Sequence, residues 1–405
     1  MQAKNEPSQA GLATILILAL GTFATGTDAF IVAGVLPAVA GSLQSSLTAA
    51  GQIVTVFALA YAIGSPLVMT VTSNWPRRPV LVWGMVLFAA ANVLSAFSPN
   101  LAVLTVSRIV AALLAGLFVP SATATASTIV APEKRGRALA IVLGGTSAST
   151  VLGVPIGLFV SQMTNWRGAF LFVSALSVLA AIGIAVLMPQ VPAPPRVSLA
   201  DRAAVLKRGD VLTALLITVA ANAGAFSVYT YLAPVFSDLG GTGLLQVLIF
   251  TFGLFAIVGS YLSGHGADKW GAVKVLTLAL TIFTVNHFLL SVWAATIATA
   301  VVYMVLWGLT GWATIPPQQH RLVRMTGPAS SIAISLNASA LYLGIGLGGL
   351  LGGWVVDAYG ADHLWIVSGA GGLLALVLLP VSVAVERRSA AARARKSAEP
   401  QPVAL

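Results

Sequence analysis

Long apolar runs constrain this chain more than any other feature. Each is long enough to cross a bilayer as a helix, which takes about 20 residues, and too long for a barrel strand of about 9–11 residues. We number the predicted spans 1 to 12, at residues 11–37, 49–72, 79–97, 101–127, 137–162, 168–188, 211–236, 244–264, 272–292, 296–317, 328–356 and 363–385. The sequence therefore predicts an all-α integral membrane protein with twelve transmembrane helices.

Composition agrees with this assignment. Only 8% of the 405 residues are charged and 58% are hydrophobic, whereas soluble domains carry about 25% charged residues. The first run is too long for the apolar region of a cleaved signal peptide, so we expect it to remain as span 1. No cysteine is present, which excludes disulfides and thiolate metal sites.

The four histidines are scattered and show no metal-ligand spacing, and no phosphate loop or nucleophile–base pair is apparent. We therefore expect no enzyme activity, no cofactor and no metal.

The net charge of +10 is unevenly distributed. Of the 21 lysines and arginines, 19 lie in breaks on the same side as the amino terminus, leaving Arg108 within a span and Arg167 on the far side. The positive-inside rule then places both termini in the cytoplasm, with the protein in the inner (plasma) membrane. This asymmetry accounts for the charge without nucleic acid as a partner.

The longest polar break, 189–210, divides the chain into two six-span halves, 11–188 and 211–385. We expect a cytoplasmic tail at 1–10, a cytoplasmic linker at 189–210 and a basic, disordered cytoplasmic tail at 386–405. The halves repeat at an offset of 195 residues, with Gly64-Ser65 falling on Gly259-Ser260. Two parallel repeats with a substrate site between them are one known transporter architecture.

A loop in the second half carries a specific motif. Residues 264–274 resemble the G-x-x-x-D-R/K-x-G-x-x-R/K loop of the major facilitator superfamily, through Gly264, Asp268, Lys269, Gly271 and Lys274. The first-half counterpart keeps Arg77 and Arg78 but has Ser73 and Pro76 in place of the acid and the glycine. The resemblance covers nearly the whole chain and implies a monomeric transporter in the lipid bilayer.

Two further patterns point to a branch of that family. In span 5, Gly144, Gly153, Pro155 and Gly157 resemble a shortened form of the glycine- and proline-rich antiporter signature. The opening, with Asp28 near Phe30 and a later Leu36-Pro37, is similar to drug:proton antiporters, notably sugar-efflux and chloramphenicol-efflux permeases. This branch exports small organic compounds in exchange for protons.

Asp28 and Arg108 are the two full charges within spans. An aspartate at a span centre costs roughly 2.5–3.5 kcal/mol on translocon scales, so it needs a partner or a function. Both residues lie about 10–13 Å from the outer end of their spans. Spans 1 and 4 both line the central cavity in the family arrangement, so we predict that the two side chains face each other there or share a water.

Such a pair has two interpretations. It can be a static packing element, although buried pairs give little net stability. Alternatively it can be a switch, because burial raises the proton affinity of a carboxylate and a nearby guanidinium lowers it. Moving Arg108 or rehydrating the cavity would then load or unload a proton on Asp28.

Aromatic and amide residues on spans expected to line the cavity are the candidate substrate contacts. They are Phe30, Tyr61, Asn222, Phe226, Tyr229, Tyr303, Trp307 and Asn337. His287, towards the outer end of span 9, is predicted to be peripheral.

The sequence favours a proton-coupled exporter of a small drug-like or sugar-like compound and leaves three alternatives open. A proton-coupled importer of a sugar or organic acid would share the fold. A membrane sensor would bind substrate without transport. A membrane enzyme is the least favoured, because no nucleophile–base pair lies in the spans.

Overall fold

The computed structural model describes residues 11–191, 193 and 197–398, except the side chains of Pro132, Thr242 and residues 394–398. The predicted tail at 1–10 and the last part of the predicted tail, 399–405, lie outside the described residues.

The described chain is helical throughout its apolar runs and contains no strand. The helices of spans 1 to 6 are Leu12–Ser42, Leu47–Val71, Arg77–Ala96, Leu101–Thr128, Arg135–Met163 and Trp166–Leu187. Spans 7 to 9 are Gly209–Thr230, Thr242–Trp270 and Ala272–Phe288. Span 10 combines Ile297–Gly311 with Ile315–Thr326, span 11 is Ser330–Tyr359, and span 12 begins the helix Trp365–Ala398. The predicted all-α membrane fold is confirmed.

By length and hydropathy, ten helical segments of the described chain are able to cross a membrane. One of them, Ile297–Tyr359, has 63 residues, about three times the length that a bilayer core requires. It is interrupted at Trp312–Thr314 and Gly327–Ala329. Reading this segment as two crossings, and the shorter helix Ala272–Phe288 as one, gives the predicted twelve.

Short polar residues and glycines set several helix ends. The side chains of Ser46, Asn100 and Asn165 accept hydrogen bonds from the first turns of spans 2, 4 and 6, which satisfies amides that have no partner within the helix. Gly271 and Gly360 end spans 8 and 11 with φ of 89° and 88°, a conformation that favours glycine.

Span 5 contains a π-helical turn at Ser149–Gly153, where it packs against span 1. Side chains of span 1 fill the space next to Gly153 and Gly157, so neither position has room for a side chain. Of the two glycines near the start of the span, Gly145 contacts span 1, whereas the predicted Gly144 has nothing within contact distance. Pro155 lies at the start of the helix that resumes after the π turn, where its missing N–H is tolerated.

Spans 1 to 6 and spans 7 to 12 each pack mainly among themselves. The two groups meet where span 2 packs on span 11, span 5 on span 8, and span 1 on span 7. Span 11 presents one glycine face to the backbone of span 7, formed by Gly344, Gly348 and Gly352. Its other glycine face, formed by Gly346, Gly349 and Gly353, meets residues that include Leu59, Thr55 and Gln52 of span 2. Span 11 therefore packs closely on both halves at once.

The chain from Glu386 to Ala398 is helical, which corrects the prediction that it is disordered. Ion pairs hold this extension to neighbouring helices: Arg321 Nη2 lies 3.1 Å from Glu386 Oε2, and Arg393 Nη1 lies 2.9 Å from Asp210 Oδ2. The basic composition of the tail predicted disorder, because the partners that hold its helix, Arg321 and Asp210, lie far away in the sequence.

The linker also contains a helix, Leu199–Leu206, which begins at a capping box of Ser198 and Asp201. Hydrogen bonds from Ser198 hold the pKa of the Asp201 carboxyl below its usual value. Arg202 Nη1 donates to Ser335 Oγ at 2.8 Å, which connects the linker to span 11.

Candidate functional site

Asp28 and Arg108 form a direct, two-pronged ion pair. Arg108 Nη1 lies 2.7 Å from Asp28 Oδ1, and Nη2 lies 2.8 Å from Oδ2. Nη2 is also 3.2 Å from the Asp28 carbonyl oxygen. Both side chains are fully buried. A bidentate guanidinium–carboxylate pair is among the strongest polar contacts available to side chains.

Aromatic rings enclose the guanidinium. Its central carbon lies 4.6 Å from the ring centroid of Phe57 in span 2 and 5.3 Å from that of Phe170 in span 6. Arg108 Nε has no hydrogen-bond partner. The cation is therefore held by the carboxylate and the backbone carbonyl of Asp28 and by two ring faces, which attract a cation most when water is excluded.

The π turn of span 5 lies beside the acid. Gly26 and Thr27, the two residues before Asp28, contact Ser149 and Gly153 of that turn. Single π turns in α-helices occur frequently at functional sites. Movement of span 5 at this turn would therefore alter the packing next to the ion pair.

A vestibule of about 480 Å³ opens between the halves at the end of span 1 that lies opposite residue 11. Because the charge asymmetry predicts that this end faces outwards, we call it the outer vestibule. We define it by its lining, which comes from the outer ends of spans 1, 5, 6, 7 and 8: Gly34, Val35, Pro37, Ala38, Leu158, Ser161, Gln162, Asn165, Trp166, Ala233, Phe236, Ser237, Gly240, Gly241 and Leu245. Its nearest point along span 1 is Gly34, six residues from Asp28, or about 9 Å at the helical rise. The ion pair does not line this vestibule, and its two side chains touch each other rather than facing across a cavity.

Five of the eight predicted substrate contacts come together in one place. Phe30 of span 1 lies 5.9 Å from Phe226 and 6.1 Å from Tyr229 of span 7. Trp307 lies 6.1 Å from Tyr229 and 5.4 Å from Tyr303. We call this cluster the aromatic nest; it consists of Phe30, Phe226, Tyr229, Phe252, His287, Tyr303 and Trp307.

The aromatic nest includes two residues that the sequence did not identify. Phe252 of span 8 lies 5.0 Å from Trp307, and the imidazole of His287 lies 5.1 Å from it. His287 is fully buried, so its predicted peripheral position is wrong: span 9 turns this side chain towards Tyr303 and Trp307 of span 10. No sequence signal singles out Phe252, because its counterpart at the repeat offset, Phe57, is not a predicted contact either.

The other three predicted contacts lie elsewhere. Tyr61 stacks on Tyr342 of span 11 at a centroid distance of 3.6 Å, within the contact between the halves. Asn222 donates to the Thr218 carbonyl at 2.9 Å, and Asn337 accepts from the Thr218 hydroxyl at 2.8 Å. Both amides line a small internal cavity of about 10 Å³ in the C-terminal half, about the space needed for one water.

The loop-motif residues do not share one arrangement. Asp268 and Lys269 are exposed, and within the described residues Asp268 makes no hydrogen bond or ion pair. In the first half, Arg77 is buried and its backbone N–H donates to the Val191 carbonyl at 3.0 Å, while Arg78 donates to the Ala185 carbonyl. Gly264 lies near Pro316 of span 10, and Lys274 lies in the first turn of span 9.

Comparison with known proteins assigns the family. The profile described as Major Facilitator Superfamily matches residues 18–330 and 215–405. An inner membrane transport protein of Escherichia coli K12, YdhP, is 32% identical over 85% of this chain and 89% of its own length. A chloramphenicol resistance protein of Streptomyces lividans is also 32% identical, over 91% of this chain and 95% of its own length.

A solved structure supports the same architecture. The crystal structure of a D-xylose-proton symporter matches with a TM-score of 0.74, covering 91% of this chain and 96% of that one at 16% identity. At this identity the match shows the fold alone. Relatives and fold are those of transporters rather than enzymes. The chain is therefore a multi-pass membrane protein that belongs to the major facilitator superfamily.

Proposed function

We propose that this protein exports a small organic compound across the inner membrane in exchange for protons, by alternating access, with both termini in the cytoplasm. The fully buried, bidentate contact between Asp28 and Arg108 carries the proposal. Among the described residues of the spans, these two are an acidic and a basic side chain that pair with each other and are both fully buried.

The pair suits a proton-dependent switch. Moving a charged side chain out of water costs several kcal/mol for each ion. The attraction between the two ions offsets this cost only while both charges are present. A proton on Asp28 removes the negative charge that holds the guanidinium through two hydrogen bonds. Arg108 would then keep its contact with the Asp28 carbonyl oxygen and the two ring contacts but no anionic partner, which favours a rearrangement of spans 1 and 4.

Proton access requires a second conformation. The outer vestibule ends at Gly34 in span 1, and no polar side chain of its lining reaches Asp28. Motion of the halves about the glycine faces of span 11 would open a route, because helices that meet through glycine can slide at close approach. In this cycle, protonation from the outer side accompanies substrate release, and deprotonation inside accompanies substrate uptake.

The relatives support export of a small molecule. One relative is named for chloramphenicol resistance, and removal of the compound from the cell is one way for a transporter to confer such resistance. The aromatic nest groups rings from both halves that pack against one another in this conformation, and a conformation that separates them would present their faces to such a compound. Substrate and protons are then the partners that the transport cycle requires.

Vesicles can test the proposal directly. Purified wild type and Asp28→Asn would be reconstituted into liposomes, and uptake of radiolabelled chloramphenicol would be followed with and without an imposed pH gradient. We expect a gradient-dependent flux in wild type and its loss in Asp28→Asn. Asp362→Asn, which removes an exposed carboxylate outside the spans, is the matched control and should behave as wild type.

The same vesicles distinguish the alternatives. Wild-type flux in Asp28→Asn would refute the coupling role. Movement of substrate and protons in the same direction would identify an importer, and saturable binding with no flux for any compound would identify a sensor.

A further inference from the structure

Four buried polar atoms in the C-terminal half lack a hydrogen-bond partner. They are the hydroxyl oxygens of Tyr229 and Tyr303, Nε2 of His287 and Oδ1 of Asn286. Each of these residues is at most 3% exposed. Buried polar groups in folded proteins are nearly always hydrogen-bonded, so several unpaired atoms in one region need an explanation.

These atoms belong to one region, the aromatic nest and the residue next to it. The imidazole of His287 lies 5.6 Å from the Tyr303 ring and 5.1 Å from Trp307, and Tyr229 lies 6.1 Å from Trp307. Asn286 is tied to the same place, because its Nδ2 donates to the Tyr303 carbonyl at 3.3 Å. The rings of Tyr229, His287 and Tyr303 therefore surround the Trp307 indole, and Asn286 is hydrogen-bonded to the backbone of Tyr303.

The hydrogen bonds already present determine whether each unpaired atom can donate or accept a further hydrogen bond. His287 Nδ1 lies 2.9 Å from the Phe283 carbonyl oxygen. A carbonyl only accepts, so Nδ1 carries the proton and Nε2 of the neutral ring is an acceptor. Asn286 Oδ1 is a second acceptor, and the two tyrosine hydroxyls can donate or accept. The region thus offers two acceptors and two hydroxyls within a cluster of buried aromatic rings.

The chemistry of the region is neutral. No lysine, arginine, aspartate or glutamate belongs to the aromatic nest, and the ion pairs of the described residues involve none of its members. An organic anion would therefore find no cation there, and an ammonium group would find no carboxylate. Tyrosine and tryptophan combine apolar faces with a polar edge, which fits a ring that carries hydroxyl groups.

We propose that the aromatic nest binds the exported compound, and that this compound is neutral, with a ring and at least two hydroxyl groups. His287 and Asn286 of span 9 act as specificity-determining residues by accepting hydrogen bonds from those hydroxyls. The inference rests on the proposed function and deepens it by naming the substrate class. Phe236 lines the outer vestibule and lies 6.2 Å from Tyr303, so it separates the nest from the exit.

Equilibrium binding in detergent, without a proton gradient, tests the proposal. The probes are 4-nitrophenyl β-D-glucopyranoside, which is neutral, 4-nitrobenzoate, which is an anion, and tetraphenylphosphonium, which is a cation. We expect saturable binding of the glucoside and at least tenfold weaker binding of the two ions. Tyr303→Phe and His287→Phe should each weaken glucoside binding about tenfold, the effect of one lost hydrogen bond.

A matched variant separates binding from stability. The Tyr231 hydroxyl donates to the Gly349 carbonyl at 3.2 Å and lies outside the nest, so Tyr231→Phe should lower the melting temperature and leave glucoside affinity unchanged. Tyr303→Phe removes a hydroxyl that has no partner, so it should keep the melting temperature and lose affinity. If His287→Phe fails to fold, Tyr303→Phe still decides the outcome.

Three results would overturn the proposal: no glucoside binding by wild type, tighter binding of either ion, or unchanged affinity in Tyr303→Phe. Failure of proton coupling gives a different pattern. In that case vesicle flux does not respond to the pH gradient, while the glucoside affinities of wild type and of Tyr303→Phe remain as predicted here.

Discussion

At the repeat offset of 195 residues, Arg108 of the N-terminal half corresponds to Tyr303 of the C-terminal half, and Phe57 corresponds to Phe252. One residue off that register, Asp28 corresponds to Gly224. In the first half these positions hold a buried ion pair under an aromatic ring. In the second half the Tyr303 and Phe252 positions belong to the neutral aromatic nest, with hydroxyls that lack partners.

The two halves share one architecture but differ in the group to which each can respond. A satisfied ion pair responds to a proton, because a change of charge breaks it. Unpaired neutral groups respond to a ligand, because a ligand supplies the missing hydrogen bonds. We infer that the first half senses protons and the second half recognises substrate, and the following changes test that division.

The largest effect is expected from breaking the ion pair on one side. Arg108→Met leaves the Asp28 carboxylate buried without its partner, which should destabilise the protein by about 3–5 kcal/mol. Adding Asp28→Asn should recover most of that loss, because the remaining groups are neutral. Thermal unfolding of the two variants in detergent measures both effects, and equal melting temperatures for the single and double variants would contradict the account.

An intermediate effect is expected from the paired phenylalanines. Phe57→Leu removes a ring face from a desolvated guanidinium, a loss of about 2 kcal/mol. Phe252→Leu removes only contacts between aromatic rings, a loss of about 1 kcal/mol beyond the change in buried area. Both replacements have the same size and each serves as the other's control. If Phe252→Leu lowers the melting temperature more than Phe57→Leu does, the proposed electrostatic difference between the halves is wrong.

The smallest effect is expected at the outer contact between the halves. Thr48 Oγ1 donates to Asp357 Oδ1 at 2.8 Å, joining span 2 to span 11. Thr48→Val should weaken this contact by about 0.5–1 kcal/mol, since the site is partly solvated. The chain has no cysteine, so spin labels at the exposed positions Gln44 and Tyr359 can report whether these ends separate more often.

Thr299→Val is the matched control for that measurement, because Thr299 bonds only with Thr296 inside the same half. Its label distances should equal those of wild type. Identical distances in Thr48→Val would show that this contact does not help to hold the outer ends together.

Sequence reasoning predicted features that depend on composition and depth. The helical spans follow from apolar length, and the pairing of Asp28 with Arg108 follows from two charges at matching depth in spans 1 and 4. The prediction placed the two side chains across a cavity or a shared water, whereas they touch directly. Five aromatic candidates also lie in one cluster, because spans 1, 7 and 10 meet there. Their role as substrate contacts stays a prediction.

Other features depend on the direction in which a side chain points. Membrane helices are apolar on every face, so helical periodicity does not show which face is inward. The inward position of His287 and the separation of Asn222 and Asn337 from the nest could not be derived for this reason. The helix beyond Glu386 depends on ion pairs with residues 65 and 183 positions away, which local composition does not reveal.

Proton movement driven by a substrate gradient would show whether Asp28 couples the two fluxes. Liposomes containing wild type or Asp28→Asn would enclose a pH-sensitive dye, and chloramphenicol would be added outside without an imposed pH gradient. We expect a change in internal pH with wild type and with Asp362→Asn, and none with Asp28→Asn. An equal pH change with Asp28→Asn would contradict the assignment of the proton site to the N-terminal half.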